Sequence, residues 1–147
     1  MRVELAAALA IAAPALATPS DLRSVAGMQG HNRVLLVFAP AIRDPRLEAQ
    51  RQAFARFATG AAERDLLFVQ VAEQAVIGAS DKADKLRRAY RIDPRRYRTL
   101  LLGKDGKVAL AAAGPVDAAR LARTIDAMPM RRAEMRRIAA GQGKPKG

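Results

Sequence analysis

Two nearly unbroken apolar runs dominate the pattern of the chain. Residues 33–39 and 65–72 are rich in Val and Leu, and such runs are typical of strands covered on both faces. Between them, Asp44-Pro45 predicts a helix start, because the Asp44 carboxylate can accept from free backbone N–H groups and proline needs no donor there. We expect this helix to reach about Thr59 and to stop at Gly60.

A short helix is predicted before the first strand. Ser20-Asp21 can cap it, and the pattern continues to about Ala26, where Gly27 and Gly30 are expected to end it. This helix would lie just ahead of the central strand.

The segment after the second strand predicts a loop and a basic helix. Residues 77–80 indicate the loop, and Ser80 is a candidate cap for a helix over 81–90. Residues 91–94 then predict a turn, because they end in Asp-Pro.

The last third of the domain predicts a hairpin and a helix. Residues 99–112 indicate two strands joined by a turn at 103–106, where Asp-Gly is a strong hairpin signal. A helix over about 116–127 would place Leu121 and Ile125 on its inner face.

The order of these elements predicts the fold class. A βαβ unit followed by αββα implies a parallel first pair of strands, an antiparallel hairpin and helices on both faces. We therefore expect an α/β fold, a three-layer α/β/α sandwich with a mixed central sheet.

The first 17 residues have the pattern of a cleavable signal peptide. A short apolar stretch from Leu5 to Ala13 is followed by Ala15-Leu16-Ala17, a small-x-small site for signal peptidase. The alternative is an N-terminal helix of the folded domain. We expect a periplasmic or secreted protein whose mature chain starts near Thr18 and which has no transmembrane segment. We expect one domain at 18–140, followed by a disordered basic tail at 141–147.

Positive charge is concentrated in two segments. The formal net charge is +12, and residues 82–107 hold ten Lys or Arg against three Asp. Residues 131–147 hold six more basic residues against one Glu. Such regions favour anionic partners, and the alternative is a solvated surface that serves solubility.

The residue types exclude several kinds of chemistry. The chain has no cysteine, so it has no thiolate nucleophile for thiol-disulfide exchange or peroxide reduction. It has one histidine and no cluster with metal-ligand spacing, so we expect no metal or cofactor. We do not expect nucleic-acid binding, because Tyr90 and Tyr97 are the only aromatics in the basic segment.

Two motifs resemble the thioredoxin superfamily. "VFAPAIRDPR" is similar to the first strand and active-site helix of thioredoxins, and it places Arg43 and Arg46 at the two redox-cysteine positions. "YRTLLLGKDGKV" resembles the segment with the cis-proline, and Arg98 stands at the proline position. The resemblance implies a thioredoxin-like fold in which both halves of the redox site are absent.

A second resemblance is narrower. "LLLGKDGKV" followed by "IDAMPMRRAEM" is similar to the ending of an uncharacterised family of small exported bacterial domains. Related domains occur in sushi-repeat and matrix-associated extracellular proteins. The resemblance implies a thioredoxin-like domain of unknown function and supplies no catalytic residues.

Three arginines form the first candidate site. In a thioredoxin-like fold, the start of the first long helix and the loop before the third strand meet in one groove, which Arg43, Arg46 and Arg98 could line together. Guanidinium groups and helix N-terminal N–H groups both suit phosphate, sulfate or carboxylate. The alternative is that Asp44 caps the helix itself and repels a second anion.

The segment "MPMRRAEMRR" forms the second candidate site. Met128, Met130 and Met135 could pack on the sheet while Arg131, Arg132 and the two later arginines face outward. Such a helix could dock on anionic lipid or a partner. The alternative is a terminal helix that covers the core.

These observations predict a binding module without redox activity. The expected partner is an anionic ligand, an acidic peptide or a protein, with Arg43, Arg46, Arg98, Arg131 and Arg132 as candidate contacts. The alternative is an enzyme of unknown chemistry that uses Arg, Asp or Glu on the same scaffold.

Overall fold

The computed structural model describes residues 22–141. The predicted signal peptide, the predicted Ser20-Asp21 cap and all but the first residue of the predicted tail lie outside the described residues. In chain order the elements are α1 (Val25–Met28), β1 (Arg33–Ala39), α2 (Pro45–Arg56), α3 (Ala58–Glu63), β2 (Leu66–Ala72), β3 (Ala75–Ile77), α4 (Ala83–Tyr90), β4 (Arg98–Leu102), β5 (Val108–Ala112), α5 (Ala118–Asp126) and α6 (Pro129–Ala139).

The sheet has five strands in the order β3-β2-β1-β4-β5. β1 lies at its centre with all seven residues buried, as its unbroken apolar run predicts. It pairs with β2 in parallel and with β4 in antiparallel fashion, and β5 pairs with β4 as the predicted hairpin. The mixed sheet is therefore confirmed.

Helices cover both faces of this sheet. Val34, Leu36 and Phe38 point to the face covered by α1 and α4, where Leu86 packs. Leu35 and the residues at alternate positions after it point to the other face, which α2, α3 and α5 cover. The helix residues in contact there include Leu47, Ala61, Leu121 and Ile125. Leu121 and Ile125 are fully buried, as predicted.

The Asp44 cap of α2 is confirmed, but the predicted end of the helix is wrong. Asp44 accepts a hydrogen bond from the Arg46 N–H, and Pro45 occupies the first turn. The helix ends at Arg56, and α3 then passes through Gly60. Alanines around Gly60 favour the helix enough to offset the glycine, and the left-handed Asp65 follows soon after.

Two other helix starts differ from the prediction. α1 begins at Val25, and Ser24 caps it by accepting from the Gly27 N–H, so Gly27 lies inside the helix. α4 has Lys82 at its cap position with no side-chain hydrogen bond, and Ser80 instead donates its backbone N–H to Arg23. Part of the predicted loop at 77–80 belongs to β3, which is too short to give a sequence pattern.

α6 has part of the amphipathic arrangement that its sequence predicts, since Met128 packs against the core and Arg136 and Arg137 are exposed, but two positions differ. Met130 is 47% exposed, whereas Arg131 is buried at 7% exposure. The prediction that Arg131 faces outward is therefore wrong, while Arg132 is exposed as predicted. Charged side chains of α6 face the sheet because a buried cation, Arg33, lies at the start of β1.

Arg33 has a fully buried side chain at the first position of the central strand. Its guanidinium donates to both oxygens of Glu134 on α6, each at 3.2 Å, and to the Arg64 carbonyl at 2.8 Å. The Glu134 carboxylate also pairs with Lys104 of the β4–β5 turn at 2.7 Å. One carboxylate thus joins the central strand, the hairpin and the last helix.

Further ion pairs extend this cluster. Arg131 contacts Asp126 at 3.2 Å and Glu134 at 3.6 Å, and Arg64 contacts Asp126 at 3.0 Å. Lys104 also contacts Asp65 at 3.0 Å. We call the whole set the lower ion network: Arg33, Arg64, Asp65, Lys104, Asp126, Arg131 and Glu134. It lies at the end of the sheet where the parallel strands β1 and β2 begin.

The substitution Glu134→Gln should destabilise the domain by about 3 kcal/mol, because it leaves the buried Arg33 and Lys104 without their shared carboxylate while keeping the side-chain shape. Urea unfolding measures this loss. The matched control is Glu63→Gln. Glu63 is exposed and its carboxylate lies 3.7 Å from the Arg64 guanidinium, so this substitution should lower the free energy of unfolding by less than about 0.5 kcal/mol. Equal effects of the two substitutions would contradict the assigned role of Glu134.

Candidate functional site

The sheet end opposite the lower ion network carries most of the predicted site residues. There β1 and β2 reach their carboxyl ends, and β4 begins opposite, since Arg98 pairs with Phe38 in the register. The loop with Arg43 follows β1, and the carboxyl end of α4 lies near, because Arg87 donates to the Glu73 carbonyl just after β2. Ligands of open α/β sheets commonly bind at this end.

The Arg46 side chain is fixed by Asp44, two residues earlier in the chain. Its Nε and Nη2 donate to the two carboxylate oxygens of Asp44 at 3.0 and 2.7 Å, and its guanidinium lies 5.1 Å from the centre of the Tyr97 ring. Asp44 accepts from the first turn of α2 at the same time. The position that could bind an external anion is therefore filled by an internal carboxylate.

Arg98 and Arg46 lie toward opposite faces of the sheet. Strand alternation puts Arg98 on the same face as Phe38 and Leu100, which is the face covered by α4. Arg46 begins α2 on the other face and contacts Tyr97. The groove that the sequence assigns to three arginines is thus divided, and Arg98 shares its face with the arginines of α4.

A cleft of about 510 Å³ opens at the carboxyl end of α4. Arg87, Arg88 and Arg91 line it together with Asp84 and Asp93. Arg87 is fixed by a 2.6 Å hydrogen bond to the Glu73 carbonyl, whereas Arg88 makes an exposed 3.5 Å pair with Asp84. The cleft therefore combines one hydrogen-bonded, buried guanidinium with exposed ones at its edge.

Several arginines at this end of the sheet lie outside the ion pairs, and one of them, Arg91, lines the cleft. Among residues 22–141, Arg43, Arg91, Arg96 and Arg98 make no ion pair, and we call these four the arginine surface. Asp93 pairs with Arg95 and Asp44 pairs with Arg46, and the charge of Arg96 also lowers the pKa of Asp93. The Glu73 carboxylate accepts from the Ile42 N–H. The result is an excess of positive charge at this end of the sheet.

The committed carboxylates keep their negative charge at low pH. Hydrogen bonds from the Arg95 side chain lower the pKa of Asp93 to about 2. Hydrogen bonds from Arg46 lower the pKa of Asp44. Burial raises the pKa of the Tyr97 hydroxyl, which donates to the Arg46 carbonyl at 3.4 Å. These groups stabilise the surface around the arginines and do not titrate near neutral pH.

The Asp126 and Glu134 carboxyls of the lower ion network also have lowered pKa values, and their side chains are partly buried. Burial by itself would raise the pKa of the Glu134 carboxyl, but hydrogen bonds from Lys104 and Arg33 outweigh it and lower the pKa. Hydrogen bonds from Arg64, and then from Arg131, lower the pKa of Asp126. Arg131 is therefore compensated within the fold and is not available as a free anion contact.

The sequence reasoning missed the contributions of Arg87, Arg91 and Glu134. Arg87 and Arg91 stand four apart in the sequence, which predicts one face of a helix, but Arg91 caps α4 in a left-handed conformation. Glu134 is the single acid in a basic segment, which is a signal for an internal ion pair. Neither pattern identifies the residues that these side chains contact, because those residues are distant in the chain.

The described part of the chain offers little for other chemistry. Within residues 22–141, no group of three or more His, Asp or Glu side chains could hold a metal ion. No helix in this range is long and apolar enough to cross a membrane. The chain has no cysteine, so thiol-disulfide chemistry has no nucleophile.

Solved structures with the same arrangement are thioredoxin-fold proteins. An exposed lipoprotein thioredoxin from Streptococcus pneumoniae is 18% identical, with 73% of this chain and 97% of that chain covered and a TM-score of 0.51. A thioredoxin-family thiol:disulfide interchange protein from Chlorobium tepidum is 18% identical, with 71% and 88% covered and a TM-score of 0.52. StoA from Bacillus subtilis is 17% identical, with 70% and 92% covered and a TM-score of 0.51.

These likenesses establish a thioredoxin-like α/β fold, and the absence of cysteine separates this chain from thiol oxidoreductases. A family model described as "Domain of unknown function (DUF4174)" matches residues 24–134, so the chain belongs to this family. No curated protein matches the chain. The matched range includes β1 and Glu134, so it spans the main contacts of the lower ion network.

The stability gap between the native protein and Glu134→Gln should narrow as the pH falls. The folded pKa of Glu134 lies below its ordinary value of 4.5, so its stabilisation is complete above that value and is lost as the pH falls through the folded pKa. Urea unfolding of both proteins between about pH 7 and pH 3 measures the gap. A gap that stays constant or widens toward acid would contradict this assignment.

Proposed function

We propose that the domain is a binding module for an anionic ligand, with the acidic segment of a partner protein as the best-matched class. The observation that carries the proposal is the arginine surface around the cleft at the end of α4. Its four guanidinium groups make no ion pair within residues 22–141, although carboxylates lie close by. Guanidinium groups bind carboxylates with two parallel hydrogen bonds, which suits such a partner.

The spread of the arginines favours an extended partner over a compact one. Arg43 follows β1, Arg98 begins β4 and Arg91 ends α4, so the charges come from three separate segments. A polypeptide with several acidic residues can contact all of these arginines, whereas one small anion can contact only those at the cleft. The exposed side chains at the edge of the cleft are long, so a partner can contact them in several arrangements.

Of the five arginines that the sequence singles out, we retain Arg43 and Arg98 for this role. Arg46 and Arg131 already bind carboxylates within the fold. Arg132 is exposed on α6 near the lower ion network, and it would contact a partner only if that partner reached the opposite end of the sheet.

No observation favours the alternative of an enzyme that uses Arg, Asp or Glu. A general acid at neutral pH needs a carboxyl with a raised pKa. Among residues 22–141, four carboxyls have a shifted pKa, those of Asp44, Asp93, Asp126 and Glu134, and arginine or lysine neighbours lower each of them. Such groups serve as permanent anions in ion pairs.

The proposal also places the domain outside the cytoplasm, where the signal-peptide pattern would direct it. A cysteine-free chain suits an oxidising compartment, because it cannot form wrong disulfides there. A positively charged surface in that compartment meets acidic segments of proteins and other anionic polymers.

Polyglutamate should stabilise the domain against heat, and salt should weaken the effect because the contacts are exposed charges. The triple variant Arg43→Gln, Arg91→Gln, Arg98→Gln should bind polyglutamate about tenfold more weakly, measured by calorimetry at low salt.

The matched control removes the same charge elsewhere, as Arg56→Gln, Arg120→Gln, Arg123→Gln. These three arginines are exposed and make no ion pair within residues 22–141. The control should bind polyglutamate within about twofold of the native protein. Equal losses in both triple variants would show an effect of net charge alone and would overturn the proposed surface.

Export should remove the first 17 residues. The protein recovered from the periplasm or medium should begin at Thr18 on N-terminal sequencing, because signal peptidase requires small residues such as Ala15 and Ala17. Ala17→Phe should block the cleavage. An exported protein that still begins at Met1 would contradict the assignment.

A further inference from the structure

A second cavity lies at the other end of the sheet, beside the lower ion network. Its volume is about 290 Å³, and the β4–β5 turn and the start of α6 enclose it. The lining is mostly apolar and includes Val108, Ala109, Met128 and Met130. Val108 and Met130 are nearly half exposed, so the cavity has an apolar mouth.

The cationic groups of the cavity come from β1 and the turn. Arg33, Lys104 and Lys107 line it, and Asp105 is the acidic residue in the lining. Arg33 and Lys104 are balanced by Glu134 and Asp65. Lys107 is exposed and makes no ion pair within residues 22–141. With Asp105 counted, three cations and three carboxylates lie at the cavity, and Lys107 is the cation that has no ion pair within residues 22–141.

Arg33 supplies a hydrogen-bond donor that the fold leaves unused. Its side chain is fully buried, and its Nε is the buried side-chain atom that lacks a hydrogen-bond partner within residues 22–141. Buried guanidinium donors are normally satisfied, because an unpaired buried donor costs about 1–3 kcal/mol. An acceptor bound in the cavity that Arg33 lines would remove this cost.

The start of α6 provides further donors at the same place. Met128 occupies the cap position without a side-chain hydrogen bond, and Pro129 follows it. The Arg132 N–H bonds to the Met128 carbonyl, but the N–H groups of Met130 and Arg131 have no partner within the helix. These free N–H groups carry the positive end of the helix dipole, which favours an anion.

We propose that this cavity binds a small organic carboxylate with a hydrocarbon chain. The carboxylate would accept from the free N–H groups of α6, close to the Lys107 ammonium, and from Arg33 Nε once that buried side chain turns toward the cavity. The chain would lie against Val108, Ala109 and the methionines, whose flexible thioethers adapt to such ligands. The proposal is independent of the arginine surface, which lies at the opposite end of the sheet.

The cavity volume limits the size of the ligand. At about 30 Å³ for each water-sized group, the cavity holds roughly ten non-hydrogen atoms. Octanoate has that size and is therefore the probe. A phosphate group fits less well, because it brings a second negative charge near Glu134 and Asp105 and has no apolar part.

The test is an NMR titration of the backbone amides with octanoate, octanol and acetate at neutral pH. Octanoate should give saturable shifts at residues 103–109 and 130–132. Octanol lacks the charge and acetate lacks the chain, so each should bind at least about tenfold more weakly. Absence of saturable shifts at millimolar octanoate, or shifts confined to other residues, would overturn the proposal.

Two variants separate the charge from the cavity. Lys107→Glu should weaken octanoate binding about fivefold, because it reverses an exposed charge at the site. Ala109→Phe should abolish binding, because it fills the cavity without changing any charge. Lys85→Glu is the matched control on α4, far from the cavity, and should bind octanoate as the native protein does.

The same titration separates this proposal from the proposed function. The variant Arg43→Gln, Arg91→Gln, Arg98→Gln should bind octanoate unchanged, while Ala109→Phe should bind polyglutamate unchanged. Native octanoate affinity in Ala109→Phe, or loss of octanoate binding in the triple arginine variant, would overturn the cavity assignment.

Discussion

The buried guanidinium of Arg33 at the first position of the central strand is the constraint on which the rest of the structure depends. A buried charge is tolerated only when it is paired and hydrogen-bonded, and Glu134 of the last helix supplies the carboxylate. Because Glu134 also binds Lys104, the same contact fixes the β4–β5 turn. The last helix is thus held to the sheet by an ion pair, where its sequence suggests packing through methionines.

This constraint divides the charge of the domain between two ends. The four cations of the lower ion network pair with three carboxylates, those of Asp65, Asp126 and Glu134, although the chain as a whole is strongly basic. The carboxylates used there are not available at the other end, where α4 ends and β4 begins. The arginine surface at that end keeps four arginines that make no ion pair within residues 22–141, on a scaffold without cysteine.

Much of the fold follows from the sequence because its signals are local. The unbroken apolar run of β1, the Asp44 cap and the Asp-Gly turn each depend on residues within a few positions of one another. The site was harder to predict because its contacts are distant in the chain: Arg33 and Glu134 are 101 residues apart. Strand register decided that Arg98 faces α4, and no pattern of arginines could reveal a register before the sheet was known.

The central claim is that the cations of the lower ion network are paired with carboxylates, whereas the arginine surface at the other end of the sheet makes no ion pair within residues 22–141. The most direct test measures the local electrostatic potential at each backbone amide from the NMR relaxation caused by a cationic and an anionic paramagnetic cosolute. Amides near Arg43, Arg91 and Arg98 should show a clearly more positive potential than those of Arg64, Gly103 and Glu134. Equal potentials at the two ends, or the reverse order, would contradict the account.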